Sequence, residues 1–278
     1  MIDIHTHVWE ALHWSDAAKE EYRLAYGKAA HWDCPPAEHW QAMAGVDKAV
    51  VFAMMMKPTG LIVPNDYVHA YVKQHPDKLI GLASVDPKSP EAVNELERAV
   101  NQLGFRGLKL SGAYQDFNPA ETRYDPIYRR AEELGIPIFW HQSTTFFRDA
   151  PLRWSTPMLL DEVAQRFPRL CMNICHVGHP WNIDAVMVVR KHRNVYADIS
   201  GFGNRRWRFY EALRTAVEYG VADKLLFGSD YPIATVDATV QALRNAQQLA
   251  QHAGLPEIPR DVIENMLNRN SLKLLGME

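Results

Sequence analysis

The sequence predicts a (β/α)8 barrel of the TIM type, and three observations predict it. Eight short β-branched or apolar runs recur along the chain, each followed by a polar or glycine-containing loop and then an amphipathic stretch. The length of 278 residues suits one closed barrel, which commonly takes about 250. No G-x-G-x-x-G follows the first run, where an open doubly wound sheet would often carry one.

In chain order, strands are expected at residues 2–7, 48–53, 79–84, 107–110, 137–141, 171–176, 195–199 and 225–229. Helices are expected at 64–74, 90–103, 125–134, 156–166, 183–192, 207–219 and 236–251. Ser89-Pro90-Glu91 offers a cap, a proline at the first helical position and an acid in the first turn. Gly104, Gly135 and Gly220 stand where helices should stop. The alternation implies a parallel sheet with right-handed crossovers. Residues 259–275 read as an extra helix on the outside, and residues 1–278 read as one domain without a linker or repeat.

Composition excludes several classes. The chain is 47% hydrophobic, an ordinary value for a sizeable core. A net charge of −3 offers no general surface for nucleic acid or membrane. No run approaches the ~18 apolar residues of a membrane span. No leader pattern precedes the first strand, and the three cysteines, Cys34, Cys171 and Cys175, form no disulfide framework, so a cytoplasmic setting is expected. Cys171 and Cys175 share a face of the sixth expected strand, opposite His176, and should pack against helices. Met54-Met55-Met56 reads as core and loop filler.

A barrel of this kind does its chemistry at the C-terminal ends of its strands. His5 and His7 end the first strand and, being two apart, share a face. His141 ends the fifth, His176 the sixth and Asp230 the eighth, while Lys109 lies on the fourth and Asp198 on the seventh. Burying four histidines and an aspartate together without partners costs several kcal/mol. A metal ion removes that cost, and imidazole nitrogen with carboxylate oxygen suits zinc, and also manganese or iron.

Four segments, Ile2-Asp3-Ile4-His5-Thr6-His7, His141, Cys175-His176-Val177-Gly178-His179-Pro180 and Phe227-Gly228-Ser229-Asp230-Tyr231-Pro232, resemble the amidohydrolase superfamily over nearly the whole chain. The similarity is to its amidohydrolase 2 branch, which holds aminocarboxymuconate-semialdehyde decarboxylase, resorcylate decarboxylases and lactone-type hydrolases. The resemblance implies one divalent transition metal, zinc first and manganese or iron as alternatives, ligated by His5, His7, His141 and Asp230. It implies His176 as the catalytic histidine beside the ion, with Asp230 sharing in proton transfer. Lys109 either bridges two ions as a carboxylated lysine, pairs with a substrate carboxylate, or is structural. His179 either caps the next helix or lines the pocket, and Asp198 either orients a neighbour or caps a helix.

Substrate contacts are expected from Lys109, Trp9, Tyr114, Arg148 and His179. Trp9, Trp14, Tyr114, Phe146 and Trp181 should supply an aromatic wall. Arg148, Arg153, Arg205 and Arg206 lie in loops from which an arginine can grip a carboxylate bidentately. The expected partner is a small molecule, and analogy with the family implies a homodimer. Two reactions share such a site. The first is hydrolysis of a lactone or amide by metal-activated water; the alternative is non-oxidative decarboxylation of an aromatic or muconate-type acid. The ligands do not discriminate, and the modest length leans towards hydrolysis. A barrel that binds without catalysis fits the intact ligand set poorly. A deoxyribonuclease of the superfamily would want a glutamate near the end of the fourth strand, where Lys109 stands.

Overall fold

The computed structural model describes residues 1–202 and 205–278. Ten strands lie within them: β1 Ile2–His7, β2 Lys48–Phe52, β3 Met54–Met56, β4 Leu61–Val63, β5 Leu79–Ser84, β6 Leu108–Leu110, β7 Ile138–Trp140, β8 Met172–Ile174, β9 Val195–Asp198 and β10 Leu225–Leu226. Eight form one parallel sheet in the order β1-β2-β5-β6-β7-β8-β9-β10, and β3 pairs with β4 as an antiparallel hairpin. Among the described residues the eleven α-helices are α1 Asp16–Tyr26, α2 Pro36–Ala42, α3 Asn65–Val72, α4 Ala92–Asn101, α5 Asp125–Leu134, α6 Leu159–Arg166, α7 Asn182–Lys191, α8 Arg206–Glu218, α9 Val236–Ala253, α10 Arg260–Asn268 and α11 Ser271–Leu274. The sheet closes, giving the expected barrel. Residues after β10 return to β1: Ile4 N donates to Phe227 O, Asp230 N to His5 O and His7 N to Tyr231 O, at 3.1, 2.8 and 2.7 Å.

Several expected boundaries move, each for a local reason. The sixth strand stops at Ile174 because His176 and Val177 take positive φ, 59° and 43°, in a short 3-10 turn. The eighth stops at Leu226 because the following residues turn away from β9 to close on β1. Ser89 caps a turn, accepting from Glu91 N, and α4 begins only at Ala92. The closing helix expected over 259–275 is two helices, since Asn270 accepts from Lys273 N and starts a new one. The methionine run is core, as expected, but not loop. It is β3, with Met54 and Met56 buried and Met55 bonded to Ser84 and Gln115. Helices α1 and α2, in the long passage from β1 to β2, were not expected.

Cys175 also differs from expectation. It shares its inward register with Asn173, and its Sγ lies 3.1 Å from Lys109 Nζ inside the barrel, so it does not pack against helices. Below the strand ends, His5 rests on Phe52 (ring centroids 4.6 Å apart) and Phe52 meets Phe139 edge-on at 5.4 Å. This apolar layer supports the polar one above it.

A hydrogen-bonded chain locks α2 and α3 to β1. Tyr71 Oη donates to His39 Nδ1 (2.9 Å), His39 Nε2 donates to Thr6 Oγ1 (2.9 Å), and Thr6 Oγ1 donates to Val50 O (2.7 Å). That order requires a neutral imidazole. Burial, then the neighbouring His7, pushes His39 down to about 3 from an ordinary 6.5. Between those values the unfolded chain binds the extra proton, so stability falls as pH drops through this window. Chelator-treated protein should therefore show a falling urea midpoint from pH 6.5 to 4. His39→Gln should shallow that slope, and an equally steep slope would contradict the assignment.

Candidate metal centre

Three short peptide features bring the functional side chains together. The extended backbone of β1 aims His5 and His7 at one side of the barrel mouth, with ring centroids 5.2 Å apart. The tight turn after β8 lifts His176 over the sheet. The closing segment places Asp230 at φ +69°, a left-handed conformation that is uncommon for a residue with a side chain. Asp3 fastens this segment, its Oδ1 accepting from Ser229 N and His5 N at 3.0 and 3.1 Å. Burial holds the Asp3 carboxyl up at about 6 against the hydrogen bonds from Ser229 and His5.

One oxygen, Asp230 Oδ1, lies 3.2 Å from His5 Nε2 and 3.1 Å from His7 Nε2. On the far side of the His5 ring, Nδ1 donates to Asp198 Oδ2 at 3.1 Å. A neutral His5 with its proton on Nδ1 therefore has a bare Nε2. That atom has no hydrogen-bond partner, although it is fully buried and close to a carboxylate oxygen. Two acceptors converging in a dry site need a cation between them. In the metal-free chain a proton takes that place. Burial and Lys109 oppose the charge, but Asp198, Cys175 and Asp230 outweigh them and raise His5 well above the usual histidine range. The donor set thus fits a divalent metal, and His5, His7 and Asp230 form a natural three-point cradle.

Asp198 is the orienting group. It accepts from Asn173 Nδ2 (2.6 Å), His176 N (3.0 Å), Ser200 N (3.1 Å) and His5 Nδ1, and from the Ser200 hydroxyl. Burial opposes its charge, yet His5, His176 and Ser200 hold its carboxyl far below the ordinary range. Asp230 behaves alike: burial is outweighed by His176, His5 and His7, so it is ionised. His176 and His7 are pushed down to about 4, chiefly by burial, and His141 is lowered by burial, His176 and Lys109. These three are neutral imidazoles at neutral pH.

His141 stands one step from the cradle. Its Nδ1 is 3.2 Å from His176 Nε2, and its Nε2 is 3.2 Å from Thr144 O. Lys109 is buried at the floor, with Nζ 4.5 Å from the centre of the Phe52 ring. Above them opens a cavity of about 210 Å³ whose walls include Trp9, Trp14, Tyr114, Phe146 and His179. Of its two expected roles His179 takes one: it lines the cavity, whereas α7 begins after Trp181 without a side-chain cap, and the His179 carbonyl accepts from Thr144 N and Ser143 Oγ. Arg148 is a correction. It is exposed, outside the cavity, in a turn whose backbone is tied to Glu21. Arg205 is the loop arginine that lines the cavity, whereas Arg153 covers Trp154 and neither Arg206 nor Trp181 contributes to the wall.

Sequence reasoning missed Ser200, whose hydroxyl is 3.0 Å from His5 Nδ1 and 2.8 Å from His176 Nδ1. Its spacing two residues after Asp198 on an extended run was the available signal. It also missed Tyr22 and Tyr26, which reach the cavity from α1 and carry no local motif. Gly201 was missed as well. It has φ +72°, and a Cβ there would stand 2.7 Å from His176 Nδ1 and 2.9 Å from Asp230 Oδ2.

A family model for amidohydrolases matches residues 2–277. Among curated proteins, a gamma-resorcylate decarboxylase from Polaromonas sp. is 25% identical over 227 residues, 65% of this chain and 68% of that protein. A dihydroxybenzoic acid decarboxylase from the same genus, solved with manganese and 2-nitroresorcinol, superposes with a TM-score of 0.71 at 16% identity, covering 99% of this chain and 96% of the other. A probable 2-pyrone-4,6-dicarboxylic acid hydrolase from Acinetobacter baumannii, solved with citric acid, gives 0.68 at 18% identity, covering 99% and 98%. The chain spans about two thirds of the length of the curated decarboxylases it matches. No helix among the described residues is long and apolar enough to cross a membrane.

Metal analysis after dialysis should count about one divalent ion at the barrel mouth, apart from any ion held elsewhere on the chain. His5→Ala should lose it and His176→Ala should keep it; loss in His176→Ala would make that histidine a ligand. Asp198→Asn and Gly201→Ala should each weaken metal affinity roughly 10- to 100-fold, because both disturb groups that aim the ligands. Unchanged affinity in both would contradict the role given to this framework.

Proposed function

The chain belongs to the amidohydrolase family, and from that premise we propose that it is a divalent-metal-dependent decarboxylase acting on a small hydroxylated aromatic carboxylic acid. The observation that carries this reading is the cavity itself. It is a space of about 210 Å³, with aromatic rings on its walls and metal-type donors at its base. Trp9 stacks on His7 (25° between planes, 5.2 Å) and Tyr114 leans over His141 at 4.4 Å. Such a space suits one flat substituted ring. Resorcylate and dihydroxybenzoate decarboxylases among the similar proteins support the same choice over hydrolysis.

The residues present divide the work. His5, His7 and Asp230 would hold the ion, zinc or manganese, with His141 one step away against His176 and Thr144; when bound, the ion supplies Lewis-acid charge to carboxylate and neighbouring hydroxyl oxygens. Arg205 at the rim and Lys109 at the floor offer positive charge to an anionic ring substituent. The aromatic walls fix the ring plane and exclude water. Asp230 Oδ1 faces His5 and His7, while Oδ2 lies on the Gly201 side. Being ionised, Asp230 accepts the proton that the substrate brings and delivers it to the ring carbon bearing the carboxylate. The carbon–carbon bond then breaks, its electron pair restores the aromatic ring, and CO2 leaves. His176, neutral and held by Ser200 and His141, steadies the Asp230 carboxylate.

Incubation with a panel of dihydroxybenzoates, muconate-type acids and pyrone lactones separates the readings. CO2 release from a hydroxybenzoate, without ring opening of the lactones, is expected. Asp230→Asn should lower the rate by at least about 10²-fold. Lactone opening without CO2 release would replace this reading with metal-dependent hydrolysis.

A further inference from the structure

The passage from β1 to α2 carries a second group of metal-type donors that the proposed reaction does not use. His31, Cys34 and Glu38 follow as H-x2-C-x3-E, and an imidazole nitrogen, the thiol sulfur and a carboxylate oxygen all lie within 4.8 Å of one another. His31 Nε2 is 2.7 Å from Glu38 Oε1. Side chains of His31 and Glu38 are 42% and 40% exposed, so an ion can approach from solvent. Cys34 is fully buried behind them. Its Sγ meets the His7 carbonyl at 4.0 Å, a long contact for a thiol donor.

The backbone holds this trio in place. Cys34 N donates to Trp9 O and Trp9 N to Cys34 O, at 2.9 and 3.0 Å. Trp9 Nε1 donates to the His31 carbonyl at 3.0 Å. Glu38 sits in the first turn of α2, where Tyr231 Oη donates to its Oε1 at 2.9 Å. A plain imidazole–carboxylate pair accounts for His31 and Glu38. It does not account for a rigidly mounted, buried sulfur within reach of the same point.

We propose that His31, Cys34 and Glu38 form a second metal site that takes one zinc-class divalent ion, separate from the centre at the barrel mouth. One nitrogen, one sulfur and one oxygen suit a borderline-soft ion such as zinc or cobalt(II) and disfavour magnesium or calcium. Three protein ligands leave the fourth tetrahedral position to water on the exposed side. As the sulfur–metal bond forms, the thiol proton passes to solvent, so one proton is released per ion bound. The site stands whatever reaction the barrel mouth performs.

Cobalt(II) titration of the full-length, chelator-treated chain tests it. Cobalt bound to thiolate has a sulfur-to-metal charge-transfer absorption in the near ultraviolet, which the imidazole–carboxylate centre lacks. The expected result is about two ions per chain, the sulfur band growing with one of them. Cys34→Ser should abolish the band and reduce the count to about one ion, and His31→Ala, a surface change, should weaken the band-forming site roughly tenfold or more. A wild-type chain without the band would overturn the site. So would a band that survives Cys34→Ser, since the sulfur would then belong to Cys171 or Cys175.

Discussion

The Asp198 carboxylate is the contact on which the barrel mouth depends. It gathers the side chain of Asn173 from β8, the backbone of His176 and Ser200, and the Nδ1 proton of His5 from β1. By holding that proton it leaves His5 Nε2 bare and turned towards Asp230. By holding the His176 amide it stabilises the turn that ends β8 and sets His176 beside His141. A buried carboxylate with so many donors is satisfied, and its negative charge raises the basicity of the imidazole it orients. Asp3 plays the matching part on the other side, tying the closing segment to β1, so that Asp230 arrives opposite the histidines.

The apolar and polar layers depend on each other. Phe52 and Phe139 fill the barrel below, and His5 lies directly on Phe52. Lys109 is buried at the same level, over the Phe52 ring and against Cys175. From there Lys109 faces the cavity from below. In the proposed reaction it is placed to meet an anionic substrate. The passage from β1 to α2 gives one aromatic wall through Trp9 and Trp14. It also holds the His31–Cys34–Glu38 group outside that wall.

Much of this was legible in the sequence. The eight runs, the inward pair His5 and His7, and the histidines and aspartate ending later strands all follow from side-chain alternation and the barrel's polarity. Some features do not show in local pattern. The positive φ at His176 cuts the sixth strand short and the turn towards β1 cuts the eighth, because site placement and barrel closure outweigh strand continuation there. Cys175 was assigned outward from His176, but the turn between them breaks the alternation on which that inference rested. Ser200, Tyr22, Tyr26 and Arg205 become site residues only through tertiary packing. Arg148 and Arg205 look alike as loop arginines, and only the fold separates them. The choice of decarboxylation over hydrolysis likewise rests on cavity shape and on similar proteins, since both reactions use the same ligands.

The central claim is that a divalent ion sits between His5, His7 and Asp230 at the barrel mouth. The most direct measurement is an anomalous-difference map from crystals of the wild-type chain grown with manganese. The account predicts a peak at the mouth about 2.0–2.2 Å from His5 Nε2, His7 Nε2 and an Asp230 oxygen. A map with no peak there, or with manganese bound only away from these three side chains, would contradict it.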